Sequence, residues 1–388
     1  MREVDFTLSA GPTAASARTL AALGSPITYH YDPEFLDAFR RTERKVASIF
    51  RTESSVVMMQ GEAVLGLEAA ARGLVRPGDK VLNLVSGVFG EGMGMWLTDF
   101  GADLHEIEVP YDDVVDPGDV ERFLESNPDT TMVAVVHCET PSGTATDVAS
   151  IGRIAAARGV LTLVDCVSSV GGMEFEVDAW GLDVCVLGPQ KCLGGPPGMS
   201  LMSVSERAWE VMEKNPQAPR ASFLSLLDWK RTWFGEGRFP FTPSVVDVHG
   251  VESVCDQILE EGVDASIARH AAAASACRAG VAAMGLRIWP RSEAIAANCV
   301  TSIAVPDGLD HDRIRSHARE RYGVMLSGGQ GAGNLVRIGH MGPTANGLHP
   351  VVGLLALGRT LLDMGAHVDV GAGVEAALAS IAARSGAS

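Results

Sequence analysis

Between about residues 55 and 205, short apolar runs alternate with amphipathic stretches, and few folds accommodate that alternation. Ser55–Met59, Lys80–Val85, Leu104–Val109, Thr131–His137, Val160–Val164, Asp183–Leu187 and Ser200–Val204 predict strands. Several lack polar alternation, as strands buried on both faces do. Between them, Glu62–Leu74, Glu91–Phe100, Pro117–Ser126 and Val148–Ala157 carry helical periodicity. Alternating β and α units imply an α/β fold, a mostly parallel sheet with helices on both faces. In such sheets ligands bind at the C-terminal ends of the strands.

The pattern changes after residue 205. Segment 214–243, rich in Pro, Arg, Trp and Phe, predicts an extended excursion, and Val246–Met284 a long helical stretch. The remainder predicts a smaller α/β unit. Its expected strands are Cys299–Val305 and Leu335–Gly339, and its expected helices Asp310–Arg321, Pro350–Met364 and Val374–Arg384. The expected division is an N-terminal arm over 1–20, a large unit over 21–265 and a small C-terminal unit over 266–388.

Composition narrows the function classes. With 46% apolar and 20% charged residues in 388, the chain is of ordinary globular type. The 48 acidic against 31 basic residues give a net charge of −17, which disfavours nucleic acid and anionic membranes as partners. The seven cysteines form no C-x-x-C pair and several sit in apolar runs, as reduced thiols of a cytoplasmic protein do. The N-terminus lacks a signal-peptide hydrophobic region and no run of 18 apolar residues occurs, so a soluble cytoplasmic protein is expected. The ten histidines include no H-x-x-x-H pair, and no metal site is expected.

Two strand ends carry candidate chemistry. The strand Leu161–Val164 runs into Asp165, which alone reads as a turn or cap. The next strand ends in Gly188-Pro189-Gln190-Lys191, where Lys191 alone reads as a loop lysine. Together, an acid at one strand end and a lysine at the next suggest Schiff-base chemistry. A lysine condenses with a pyridoxal aldehyde, and a carboxylate facing the pyridine nitrogen keeps the ring an electron sink.

The chain resembles the fold-type I, class V aminotransferases. The matching stretches include Ala10-Gly11-Pro12-Thr13, Gly66–Ala71, His137–Thr144, Val164–Ser169, Gly188–Lys191, Thr242-Pro243 and Val336–Gly339, in family order through nearly the whole chain. The resemblance implies a pyridoxal-type vitamer on Lys191, with Asp165 at the pyridine nitrogen. It also implies Val167 and Phe89 on the two ring faces, Thr140 near the ring hydroxyl, Ala63 at the cofactor, and Gly11 and Arg337 at the substrate. A planar guanidinium suits a carboxylate because it makes two parallel charge-assisted bonds. A homodimer is implied, with Thr242 reaching the neighbouring subunit's site.

One position departs from the parent family. The cofactor phosphate is expected at the start of the first large helix, where free N–H groups and the dipole favour an anion. Here Gly61-Glu62-Ala63-Val64 places a carboxylate there. An acid in a first helical turn adds about 0.3–1 kcal/mol of stability. Facing a phosphate, however, two unit charges about 4 Å apart repel by roughly 4 kcal/mol at an effective dielectric near 20. A hydroxymethyl group would instead donate a hydrogen bond to Glu62. This pattern is similar to a branch of the family that works on free pyridoxamine and pyruvate, as are Tyr29–Pro33, Arg220–Ser222, Phe239–Ser244 and Ile338–Ala345. That likeness implies Glu62 at the 5′-hydroxyl, with Tyr29 and Phe241 lining the pocket. Gln330, in the loop Ser327–Asn334, stands where the branch carries an arginine, which leaves the amino-group acceptor open.

Three readings follow from the sequence: transamination between pyridoxamine and pyruvate, a phosphate-dependent alanine– or serine–glyoxylate aminotransferase, and a pyridoxal-dependent lyase. A DNA-binding regulator of the same fold is disfavoured by the charge and by the Ala10-Gly11-Pro12 motif so near residue 1.

Overall fold

The computed structural model describes residues 3–385; Met1, Arg2 and residues 386–388, at the outer ends of the 1–20 and 266–388 segments, lie outside the described residues. Phe6–Thr7 is β1, Ser55–Gln60 β2, Lys80–Val85 β3, Asp103–Glu108 β4 and Thr130–Val136 β5. A small hairpin follows, Cys138–Glu139 (β6) and Thr144–Ala145 (β7), then Leu161–Asp165 (β8), Val184–Leu187 (β9) and Met199–Val204 (β10). Seven of these form one sheet in the order β2-β10-β9-β8-β5-β3-β4. β3, β4, β5, β8 and β9 pair in parallel, and β10 runs antiparallel to both β9 and β2. β2 therefore points the same way as β9, and the ends of β2, β3, β5, β8 and β9 share one edge. Val81, Leu82, Val133, Leu163, Val184 and Leu187 are buried, as the near-continuous apolar runs require.

Helices Ala17–Leu23 (α1), Pro33–Phe50 (α2), Ala63–Leu74 (α3) and Val88–Asp99 (α4) precede or follow the first strands. α2 starts on Asp32, whose carboxylate accepts from Glu34 N, with Pro33 in the first turn. It buries Phe35, Phe39, Val46, Ile49 and Phe50.

Val300–Ala304 (β11), Val324–Met325 (β12), Ser327–Gly328 (β13) and Leu335–Gly339 (β14) complete the strands. β11, β14 and β13 form a second sheet in that order, and β1 pairs in parallel with β12. The N-terminal arm thereby joins the C-terminal unit: Leu8 is fully buried in a core with Val281, Ile303, Val336, Ile338 and Leu357. Gly339 N donates to the Leu8 carbonyl at 2.8 Å.

Four expectations are corrected. The excursion 214–243 is not extended throughout, because Leu226–Phe234 is helical, ending in a π-helical turn. Trp229 and Trp233 there are covered by α2 of the same chain, Trp233 lying edge-on to Phe39 and donating to Glu43, while Phe234 is exposed. The stretch 246–284 is two helices, Val245–Glu261 and Val263–Ala283, broken at Gly262 with φ +93°. Glu62 is the cap that precedes α3 rather than a residue within it. Finally, α4 begins three residues before Glu91, for a reason that lies in the site.

The arm passes so close to β14 that a Cβ on Gly339 would stand 2.1 Å from the Ser9 carbonyl oxygen. Gly339→Ala is expected to cost about 1–3 kcal/mol of unfolding free energy, the usual size of an overpacking penalty. Denaturant titration checks this, and wild-type stability would contradict the close approach.

Candidate active site

Five polypeptide segments leave the common sheet edge and enclose one cavity. After β2 comes Glu62, after β3 Val88 and Phe89, after β5 Cys138, at the end of β8 Asp165 and Val167, and after β9 Lys191. All of these line a cavity of about 740 Å³, counting its solvent-open part, together with Ala63, Val64, Met93, Trp96 and Ser168.

Lys191 Nζ donates to the Ala10 carbonyl at 3.0 Å. Gly11, at φ +103°, lets the arm lie against the lysine, since a Cβ there would sit 2.3 Å from Nζ. Burial, followed by the positive charge of Arg337, depresses the Lys191 pKa. Asp165 accepts from Val167 N through Oδ1 at 2.9 Å, and burial raises its pKa to about 6. The side chain therefore faces the cavity with Oδ2 making no hydrogen bond among the described residues.

Glu62 points along its own helix start. Its Oε2 accepts from Val64 N at 2.8 Å and its Oε1 from Gln190 Nε2 at 2.7 Å. Ser200 Oγ donates to the carbonyls of Gly61 and Glu62, pinning the turn from β10. The carboxylate thus occupies the positive end of α3 and lines the cavity.

Thr140 sits in the tight β6–β7 turn, closed by Gly143 N donating to the Glu139 carbonyl at 2.8 Å. Among the described residues its Oγ1 is buried without a partner, as are Gln190 Oε1 and Arg337 Nε. Arg337, at the centre of β14, is 4% exposed, and burial lowers its pKa to about 10. Its Nη2 donates to Gln330 Oε1 at 2.9 Å. Apolar walls at Phe89 and Val167, a buried carboxylate and an amine of depressed pKa fit a pyridoxal-type group, while Thr140 and Arg337 are not among the residues that line the cavity. An unpartnered buried polar group costs roughly 1–3 kcal/mol, so such orphans point to a ligand.

The other expected pocket residues lie elsewhere in the single chain. Tyr29 is 68% exposed beside His30 and Tyr31. Phe241 stacks on Phe223 with centroids 4.2 Å apart, and with Thr242 it borders a separate small cavity.

Glu139 was not singled out in the sequence. It is 1% exposed and accepts from Phe89 N at 3.2 Å and Gly90 N at 2.7 Å. It caps α4 from fifty residues away, which explains the early start of that helix: Gly87, the local cap position, supplies no side-chain bond. The carboxylate fits because Gly87 has no Cβ, which would fall 2.4 Å from Glu139 Cδ. A glutamate two residues past an apolar strand was the available signal. Gln190, beside Lys191, was likewise unassigned.

A match to the class V aminotransferase family model covers residues 16–341. The chain belongs to the class V aminotransferases. It is 46% identical over 378 residues to a pyridoxamine–pyruvate transaminase of Mesorhizobium japonicum, covering 97% of this chain and 96% of that one. It is 32% identical to an L-aspartate–glyoxylate aminotransferase of Paracoccus denitrificans, covering 95% and 93%. The crystal structure of pyridoxamine–pyruvate aminotransferase from Mesorhizobium loti superimposes with a TM-score of 0.96 at 46% identity, covering 99% of this chain and 98% of that one. The fold is thus the fold-type I aminotransferase fold, and this family uses pyridoxal phosphate on a lysine.

Burial raises the Glu139 pKa from 4.5 to about 7. A carboxyl with a raised folded pKa stabilises fully below its unfolded value, and that contribution is lost as pH rises through the folded value. Relative to Glu139→Gln, which does not titrate, the wild type is expected to lose a few degrees of Tm between about pH 4.5 and 7. Thermal melts of both proteins check this, and a constant difference across that range would contradict it.

Proposed function

We propose that this aminotransferase moves an amino group between free pyridoxamine and pyruvate, forming pyridoxal and L-alanine, in the breakdown of vitamin B6 in the cytoplasm. The observation that carries the reading is the Glu62 carboxylate, seated on the α3 N-terminus and held by Val64 N and Gln190. A phosphate would have to displace an anion that is part of the chain, whereas a 5′-hydroxyl donates to it. The similarity to relatives named for pyridoxamine and pyruvate supports the same choice.

In this reading Lys191 is the catalytic residue. Its depressed pKa favours the neutral amine, which a proton acceptor near neutral pH requires. It takes a proton at Nζ from one carbon of the reacting pair and returns it to the other. Asp165 accepts from the pyridine nitrogen, which lets the ring supply an electron sink. Phe89 and Val167 hold the ring between them, Thr140 meets its hydroxyl, and the Ala63 backbone borders the 5′ side. Gly11 leaves room for the lysine to move. Arg337 binds the carboxylate of the oxo acid. Tyr29, Phe241 and Thr242 reach the pocket from the second subunit of a homodimer, which accounts for their distance from it within one chain.

The test supplies purified protein with pyridoxamine and pyruvate and follows pyridoxal, with pyridoxamine 5′-phosphate in parallel. Turnover of the free vitamin and none of the phosphorylated form is expected. Tightly held phosphorylated vitamer with no turnover of pyridoxamine would overturn the reading in favour of a phosphate-dependent glyoxylate-type enzyme. Lys191→Ala should lower kcat by about 10³-fold or more while pyridoxal binding persists; turnover near wild type would remove Lys191 from the mechanism.

A further inference from the structure

Three buried thiols meet next to Lys191. Cys138 Sγ stands 3.3 Å from Cys299 Sγ. Cys192, the residue after the lysine, is also hydrogen-bonded to Cys299. The three share a small core with Ala10, Met173, Val300 and Met341, where the arm, the loops of the large sheet and the C-terminal unit join. Among the described residues no three side chains of the kinds that bind metals converge as metal ligands do. The sulfurs therefore call for a different chemistry.

Access singles out one of them. Among the described residues, Cys138 is the one cysteine that lines the cavity, on a wall shared with Asp165, Val167 and Lys191. Cys299 is fully buried and touches it from outside the cavity. A small solute in the cavity thus reaches one sulfur of a pair whose second sulfur is already in contact. In that arrangement an oxidised thiol is captured by its neighbour as a disulfide. The two residues belong to different parts of the fold. Cys138 opens the β6–β7 hairpin, and Cys299 precedes β11, where its carbonyl accepts from His340 N at 3.0 Å. Hydrogen bonds from Cys138 and Cys192 hold the Cys299 thiol below the usual pKa range, against the effect of burial. A proton passed from Cys138 to Cys299 leaves the charge on the sulfur that faces the cavity, and the thiolate is the reactive form.

We propose that Cys138 and Cys299 form an oxidation site in the cavity wall, where a hydroperoxide converts the thiol pair to a disulfide that slows turnover until a thiol reduces it. Cys138 sulfur attacks one peroxide oxygen and the O–O bond breaks, giving the Cys138 sulfenic acid and, with the proton the thiol gave up, water. Cys299 sulfur then attacks the sulfenic sulfur. The S–S bond forms, the S–O bond breaks, and a second water leaves with the Cys299 proton. In total two thiols lose two electrons and hydrogen peroxide gains them, for one disulfide and two waters. Closing from 3.3 Å to a disulfide length of about 2.0 Å draws the sulfurs together by roughly 1 Å. Cys138 is bonded to Glu139, whose carboxylate holds Phe89 N and Gly90 N, so the shift reaches the wall of the cavity. A misplacement of about 1 Å in a site costs up to about 100-fold in rate.

The test treats purified holoenzyme, freed of reductant, with hydrogen peroxide and follows intact mass, a peptide map without reduction, and transamination rate. The expected product is about 2 Da lighter, has lost two of the seven free thiols, and yields a peptide pair joining Cys138 to Cys299. Its rate should be at least about 10-fold lower and return with dithiothreitol. Cys299→Ser keeps a hydrogen-bonding group at the buried position and is expected to turn over like the wild type before oxidation. Under peroxide it should give no linked peptide, and Cys138 should go on to the sulfinic acid with a loss of rate that dithiothreitol does not reverse. Inactivation without a Cys138–Cys299 peptide, a link to Cys192 in its place, or a linked enzyme of full activity would overturn the inference. The wild-type mass and peptide map need neither the variant nor a substrate, so they decide the linkage even if the variant fails to fold or another amino donor replaces pyridoxamine.

Discussion

The hydrogen bond from Lys191 Nζ to the Ala10 carbonyl holds together parts of the chain that are otherwise far apart. Lys191 belongs to the loop after β9. Ala10 belongs to an arm whose neighbouring residue, Leu8, is buried in the C-terminal core. The same arm bonds to β14 through Leu8 and Gly339, and to the Gln330 loop through Ala10 N donating to Ser327 Oγ. The lysine, Arg337 and Gln330 therefore share one backbone support. A displacement of the arm moves both the Lys191 amine and the proposed oxo-acid subsite at Arg337. This is why Gly11 and Gly339 admit no side chain: at each, backbone or lysine already fills the space.

Charge around the cavity is arranged by burial as much as by pairing. Glu139 and Asp165 have pKa values raised to about 7 and about 6, with burial the largest cause in each. Lys191 and Arg337 are shifted downward for the same reason. Each group is held short of full charge compensation by protein atoms. A ligand with a basic ring nitrogen, a condensing carbonyl or amine and one carboxylate would complete the balance. Such a site binds by what it lacks, and the orphaned Thr140 hydroxyl and Arg337 Nε mark the same deficit in hydrogen bonds.

Much of the fold was legible because its signals are local. Apolar runs between amphipathic segments located the strands of the large sheet, and Asp165 and Lys191 could be read from the ends of adjacent runs. What escaped was long-range or conformational. The start of α4 depends on Glu139 after β5, and no window around residue 88 contains it. The helical turn at 226–234 is stabilised by burying Trp229 and Trp233 on α2, while its composition of Pro, Arg and aromatics reads as loop. The break at Gly262 lies inside a continuous helical pattern, where a glycine is a weak stop unless it takes a left-handed conformation. Gln190 gains its meaning only when β2 and β9, separated by about 130 residues, bring it to Glu62.

The identity of the residue before α3 bears on ligand class more than any other single position. A helix N-terminus offers free N–H groups and a partial positive charge to any anion. A diffusible phosphate must compete for them at its own concentration. Glu62 is tethered one residue away, at an effective concentration no solute reaches, and already takes the Val64 N–H. Gln190 adds a second bond, so that withdrawal of Glu62 would strand an amide that is itself buried. Loss of charge at this one position, with the rest of the site intact, would reopen the α3 N-terminus to phosphate. On the proposed reading, a preference for a free vitamin over its phosphorylated form would be encoded in a helix cap and the amide that steadies it.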